Sequence, residues 1–244
     1  MQGKALERRQ LASALDTERF ARKASALMKT RFAFLLPALA LSFAALQAAD
    51  KTSAWTTMFN GKDLTGWKAN DETPNVFKVE AGVLKVDGGG RAHLFYGADG
   101  AASFKNFEFK AKVKTTPGSN AGIYFHTAFE PKGWPSKGYE CQVNATHKDV
   151  KKTGGLYAVQ DVLNVAPNTD DVWFDYYIKV EGKRIIIQID GKTTVDWTEP
   201  ADWDPSKTLK NMNGRKLSSG TIAIQGHDPK SITYFKDLMI RALP

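Results

Sequence analysis

The sequence predicts an all-β protein, an antiparallel two-sheet β-sandwich of the jelly-roll kind. Three observations predict it. From Ala54 onward, short alternating or β-branched runs succeed one another at hairpin spacing. Nothing after residue 49 sustains a helical period for more than two turns. The runs are never interleaved with helical patterns, which excludes the βαβ units of a parallel sheet.

Taken in order, strands are expected at 76–79, 83–86, 107–113, 122–126, 139–143, 173–180, 184–189, 193–196, 220–225 and 234–241. The punctuation is Asn60-Gly61, Asp87-Gly88-Gly89-Gly90, Pro117-Gly118-Ser119-Asn120, Glu181-Gly182-Lys183 and Asp190-Gly191-Lys192. Tight hairpin turns need residues that accept positive φ, so Glu181-Gly182 and Asp190-Gly191 are read as such turns. Two long loops, 128–137 and 198–217, carry Trp134, Trp203 and Met212 amid Pro and Gly. Loops of that length are usually functional or disordered, and their aromatic content argues against disorder.

Composition narrows the function. The 244 residues include one cysteine, Cys141, so an intramolecular disulfide, a CxxC redox site and a Cys-rich zinc site are excluded. The formal charge is +8, but eight of the 34 Lys/Arg and only three of the 26 acids lie in residues 1–49. That segment holds a net +5 and the remainder only +3. No basic stripe survives in the body of the chain, and nucleic acid is not an expected partner.

The leader explains the charge. Residues 28–50 read MKTRFAFLLPALALSFAALQAAD: a basic start at Lys29 and Arg31, an apolar run from Phe32 to Leu46, then Ala48 and Ala49. This is the layout of a secretory signal peptide, although cleavage after Ala48 leaves Leu46 in the third position back, where a small residue is usual. The run is shorter than the roughly 20 residues of a membrane span, and no Cys follows it for lipid attachment. A signal peptide begins at its initiator, so Met28 is read as the true start, with a longer n-region over residues 1–27 as the alternative, and residues 1–49 are read as a leader. Residues 50–244 are read as a single β-sandwich domain in the periplasm or outside the cell, with no stable membrane span after processing.

Alternation assigns side chains to faces. In the run at 123–126, Ile123 and Phe125 point one way, Tyr124 and His126 the other. In the run at 139–144, Cys141 and Val143 form an apolar face, and Glu140, Gln142 and Asn144 a polar one. That polar face is either one wall of a groove or a solvated outer sheet face. His227 beside Asp228 is either an oriented general base or a turn-capping pair. Trp173 and Trp197 are read as core, whereas Trp134, in Pro131-Lys132-Gly133-Trp134-Pro135, is a candidate sugar platform. The chain has no H-E-x-x-H, G-x-S-x-G or P-loop pattern.

Five stretches then become recognisable in one order: Phe59-Asn60-Gly61-Lys62-Asp63-Leu64-Thr65-Gly66-Trp67, Ser119-Asn120-Ala121-Gly122-Ile123-Tyr124-Phe125-His126, GYECQV at 138–143, Lys152-Thr153-Gly154-Gly155-Leu156-Tyr157, and Gln225-Gly226-His227-Asp228. Together they resemble the 3-keto-disaccharide hydrolase domain family over residues 54–243. The resemblance implies a concanavalin A-like sandwich, bacterial export and action on 3-keto-glycosides. The expected catalytic groups are Glu140, His126 and His227, with Glu140 or a histidine as the base, and Gln142, Asn144, Trp134, Tyr157, Lys152 and Asp228 are expected around the substrate. Many members have Arg where this chain has His126, and an aliphatic residue where it has Cys141.

A ketone at C3 makes the C2 proton acidic, and the glycosidic oxygen lies β to that ketone. Abstraction at C2 therefore expels the C1 aglycone, and water adds afterwards. The route needs a base, a group that stabilises the enolate oxygen and an acid for the leaving group. Direct retaining hydrolysis instead needs two carboxylates, which laminarinase-type relatives of the fold carry as Glu-x-Asp-x-x-Glu on one strand. Here the corresponding strand offers Glu140, Gln142 and Asn144, one carboxylate and two amides. The expected partner is an oxidised glucoside or disaccharide, with a lectin-like binding module and an envelope scaffold as rival readings. No cofactor is evident, and a divalent ion on His126, His147, Glu140 or Asp228 would suit keto and enolate oxygens.

Overall fold

The computed structural model describes residues 53–97, 102–208 and 212–244. The leader at 1–49 and the start at Met28 lie outside the described residues. No helix among the described residues is long and apolar enough to cross a membrane.

The strands are β1 (Thr56–Thr57), β2 (Trp67–Ala69), β3 (Phe77–Glu80), β4 (Val83–Asp87), β5 (Ala92–Tyr96), β6 (Phe107–Thr115), β7 (Ala121–Thr127), β8 (Tyr139–Val143), β9 (Lys151–Leu156), β10 (Gln160–Leu163), β11 (Phe174–Glu181), β12 (Arg184–Ile189), β13 (Lys192–Thr198), β14 (Thr221–Gly226) and β15 (Ile232–Ala242). They form two antiparallel sheets. One runs β13-β12-β11-β6-β15-β4-β3 with β1 on β15, and the other β10-β9-β8-β7-β14-β5-β2. The expected sandwich is the observed fold.

Alternation builds the core between the sheets. Phe107, Phe109, Ala111 and Val113 of β6 and Ile185, Ile187 and Ile189 of β12 face Ile123 and Phe125 of β7 and Tyr139, Cys141 and Val143 of β8. All belong to one buried cluster, so Cys141 is a packing residue and its thiol is pushed well up by burial.

Both hairpin turns form. In the β12–β13 turn Asp190 and Gly191 both have positive φ, and in the β11–β12 turn Gly182 alone does. These are the φ signatures of type I′ and type II′ turns, whose twist matches that of the strands.

The sequence reading omitted β1, β2, β5, β9 and β10. The first two are only two and three residues long. β9, Lys-Lys-Thr-Gly-Gly-Leu, carries two lysines and two glycines and looks like a turn. It is a strand between β8 and β10, and Gly154, at φ +83, lies where a Cβ would meet Thr194 Oγ1 of β13 at 2.7 Å, so glycine permits the close approach of the facing sheet. Trp173 is also displaced from the core. It precedes β11, half-buried, with Lys114 and Lys236 against its ring.

Candidate functional site

The outward positions of the second sheet form a two-row grid. Glu140, Tyr124, Ala223 and Phe95 are cross-strand neighbours in one row, and Gln142, Gly122, Gln225 and His93 in the next. A half-solvated sheet would leave these positions exposed. Here β7, β8 and β14 are buried on both faces. The groove-wall reading therefore holds over the solvated-face reading, because the two long loops cover this face.

Those loops are joined to each other. Lys137 and Gly214 form a bridge, and the Gly138 N–H donates to the Gly214 carbonyl at 3.0 Å. Glu199 anchors the second loop by accepting the Leu217 N–H at 2.6 Å, the Tyr139 hydroxyl at 2.8 Å and Lys183 Nζ at 2.6 Å. The Trp134 loop is tied by the Gly133 N–H donating to Glu72 at 2.9 Å.

Between loops and sheet lies a cleft of about 250 Å³. Its floor is Tyr124, Glu140, Gln142 and Gln225, and its walls include Trp134, Tyr157, Met212 and His227. Glu140, only 4% exposed, accepts from the Tyr124 hydroxyl (2.8 Å) and Arg215 Nη2 (3.2 Å) through Oε2, and from Gln225 Nε2 (3.1 Å) through Oε1. Burial and the adjacent carboxylate push the Tyr124 phenol well up, so it remains a donor. Arg215, equally buried, lies against the Tyr157 ring at 5.6 Å and is placed by Trp203 Nε1 donating to its carbonyl at 2.8 Å. The sequence reading missed Arg215 and the cleft role of Gln225.

His227 lines the cleft with its Nδ1 held by Asp228 Oδ2 at 3.1 Å. Burial would raise the Asp228 carboxyl, but hydrogen bonds from Ser231 Oγ, the Lys230 N–H and His227 outweigh it and hold it below its ordinary range. The carboxylate fixes the His227 tautomer with the proton on Nδ1, which leaves Nε2 as the unprotonated nitrogen. Trp134, 40% exposed, packs its ring 5.4 Å from His227 and 5.6 Å from His93.

His147, His227 and Asp228 are the described residues close enough to share a cation. His147 Nδ1 accepts the Asp149 N–H at 3.1 Å, so the ring proton sits on Nε2, the nitrogen 3.8 Å from Asp228 Oδ2. A cation would need a lone pair there. As placed, only His227 is hydrogen-bonded to Asp228, at 3.1 Å, and the three donors, two imidazoles and a carboxylate, are of the types a divalent ion takes.

Three expected site residues are elsewhere, and a fourth, Asp228, does not line the cleft but meets it through His227. Simple alternation puts His126 on the Tyr124 side. A β-bulge intervenes: Thr127 pairs with Thr221 and Tyr124 with Ala223, so Phe125 and His126 together oppose Ile222, and His126 has φ 56. Its ring turns onto Phe107 and Phe125, Nε2 meets the Lys105 carbonyl at 2.9 Å, and Nδ1 accepts the Ser218 N–H at 3.2 Å. Asn144 and Lys152 are also absent from the cleft lining. Asn144 Nδ2 donates to the Asp149 and Lys151 carbonyls, and Lys152 Nζ to the His147 carbonyl at 2.7 Å. They fix the loop that carries His147.

A family model described as the 3-keto-alpha-glucoside-1,2-lyase-like domain matches residues 54–241. No curated protein matches the chain in sequence. Among solved structures, two proteins of Parabacteroides distasonis ATCC 8503, each provisionally named a glycosyl hydrolase, are similar. One has 24% identity and a TM-score of 0.65, covering 78% of this chain and 94% of the other. The second has 22% identity and a TM-score of 0.63, covering 78% and 100%. The Bacillus licheniformis beta-glucanase shares the fold at 11% identity and a TM-score of 0.51, covering 79% and 99%.

Proposed function

The chain belongs to the 3-keto-alpha-glucoside-1,2-lyase-like domain family, and from that premise we propose that it is an exported enzyme cleaving 3-keto-glycosides by elimination. The observation that carries the reading is the cleft's acid–base inventory. Among the described lining residues Glu140 is the one carboxylate, and both its oxygens are already accepting hydrogen bonds. Direct displacement at C1 needs a second carboxyl group across the bond. Elimination needs no second carboxyl group, and for its base His227 supplies a nitrogen held ready by Asp228.

In the proposed step, His227 Nε2 takes the C2 proton and the C2–H electron pair forms the enolate with O3. The enolate then collapses as the C1–O bond breaks, and the departing aglycone oxygen takes the proton that His227 Nε2 removed. The product is a 1,2-unsaturated 3-ketone. Water adding at C1, with a proton at C2, completes net hydrolysis. Glu140 serves by holding Tyr124, Gln225 and Arg215 in place. Trp134 and Tyr157 offer apolar faces to the sugar ring, and Gln142 and Asn120 offer amides to its hydroxyls.

Export rests on the basic, apolar and small-residue layout of residues 28–49, and a periplasmic or secreted location follows from it. Intact-mass analysis of exported material should find a chain beginning near Ala49, and retention of Phe32–Leu46 would contradict export by cleavage. The activity is tested by incubating the purified mature protein with a glucoside and its 3-keto derivative, with and without chelator. Aglycone release from the keto form alone is expected. Equal release from both contradicts elimination, and tight binding without turnover supports the lectin-like alternative.

A further inference from the structure

We propose that Arg215 is a catalytic residue: its free Nη1 binds the C3 carbonyl of the oxidised sugar and holds the enolate oxygen formed when C2 is deprotonated. The inference rests on the elimination reading and adds the electrophilic group that this reading lacks.

The guanidinium is nearly enclosed, and its nitrogens are unequally used. Nη2 donates to Glu140 Oε2 at 3.2 Å, and Nε faces Met212 Sδ at 2.8 Å. Nη1 is buried with no hydrogen-bond partner among the described residues. A buried, charged donor left unmade is costly, and native structures retain such groups where something else is to be bound. Three residues that touch Arg215, namely Glu140, Tyr157 and Met212, line the cleft. Arg215 is not itself a lining residue, so the guanidinium borders the cleft through these three.

Chemistry limits what that atom can take. Arginine donates and never accepts, and it cannot lose its charge near neutral pH. Its partner must be an acceptor, best one that gains negative charge. The enolate oxygen does so, whereas a hydroxyl at the same carbon does not. The ion pair with Glu140 fixes the guanidinium before substrate arrives, so little reorganisation is needed as charge develops. Two further unpartnered buried atoms at the cleft floor, Gln142 Oε1 and Gln225 Oε1, are acceptors only. A charged donor with two acceptors matches a carbonyl flanked by hydroxyls, the pattern C2-OH, C3=O, C4-OH.

The test separates proton removal from cleavage. Wild type, Arg215→Ala and Arg215→Lys would be incubated with a 3-keto-glucoside in D₂O, following deuterium uptake at C2 by NMR together with aglycone release. Wild type should exchange and release. Arg215→Ala should lose roughly 10²- to 10³-fold in both, as for loss of one oxyanion donor, with a smaller change in KM, and millimolar guanidinium should restore part of the rate. Arg215→Lys keeps a cation for Glu140 and guards against a misfolded alanine variant. It should fold with wild-type circular dichroism and still fall at least tenfold. Wild-type exchange rates in folded Arg215→Lys and Arg215→Ala would overturn the assignment alone. No exchange or release by wild type would overturn both it and the elimination reading.

Discussion

A Cβ placed on Gly122 would lie 2.9 Å from Glu140 Oε1 and 3.3 Å from Gln225 Oε1. Glycine thus leaves the hollow over which the carboxylate lies. Gly122 does not have positive φ, so an alanine there is a steric change at the floor, not a backbone one. Gly122→Ala should displace Glu140 and Gln225, lowering kcat/KM roughly 10²-fold while costing about 1–3 kcal/mol of stability from overpacking. Steady-state kinetics on a 3-keto-glucoside with parallel urea melts would check it. Unchanged kinetics would detach the hollow from function.

The His227–Asp228 pair makes a graded prediction. His227→Asn removes the base and should lower aglycone release by roughly 10²- to 10⁴-fold. Asp228→Asn keeps the imidazole but lets it adopt the other tautomer, so the loss should be smaller. If both variants turn over like wild type, the pair is the turn cap that the sequence equally allowed.

Glu140 and Arg215 should be coupled in stability. Removing either charge strands the other in a buried site, so Glu140→Gln should destabilise by roughly 3–5 kcal/mol and also reduce turnover. The double variant Glu140→Gln, Arg215→Met should recover much of the stability and none of the activity. A double-mutant cycle from urea melts measures this directly. Additive losses would mean the two charges do not depend on each other.

The parts of the site that were legible lie where strand geometry is regular. Glu140 and Gln142 share a face because β8 alternates without interruption, and the neighbouring alternation of β7 placed Tyr124 beside them. His126 was misplaced because a bulge costs one residue of register and leaves no distinct mark in Gly-Ile-Tyr-Phe-His. Arg215 was invisible for a different reason. It comes from a long loop, Asn213-Gly214-Arg215-Lys216, and is delivered by long-range contacts to Lys137, Glu199 and Trp203. Asn144 and Lys152 looked like ligands because their residue types bind sugars, yet carbonyls of their own loop consume their donors.

The last prediction concerns acid stability. Burial lowers His93 from 6.5 to about 4, although a bond to the Arg91 carbonyl and the nearby Glu72 oppose it. His126 is likewise lowered to about 4 by burial, against the Lys105 carbonyl and Glu199. Both rings are neutral in the fold at pH 7 and neutral in the unfolded chain, so neither affects stability there. As pH falls below about 6.5, the unfolded chain takes up two protons that the native protein refuses, and stability drops. The loss continues to about pH 4, where the native rings also protonate, and reaches at most roughly 3 kcal/mol for each. His147, also lowered mainly by burial, acts in the same direction. Asp228 and Glu199, held below their ordinary range, act only at more acidic pH. Urea unfolding at pH 7.5, 6, 5 and 4.5 should therefore show a steep decline well before the carboxylates titrate. His126→Asn keeps a residue that tolerates positive φ and can still hydrogen-bond. It should flatten the decline by about half, and an unaltered pH profile in that variant would remove His126 as its cause.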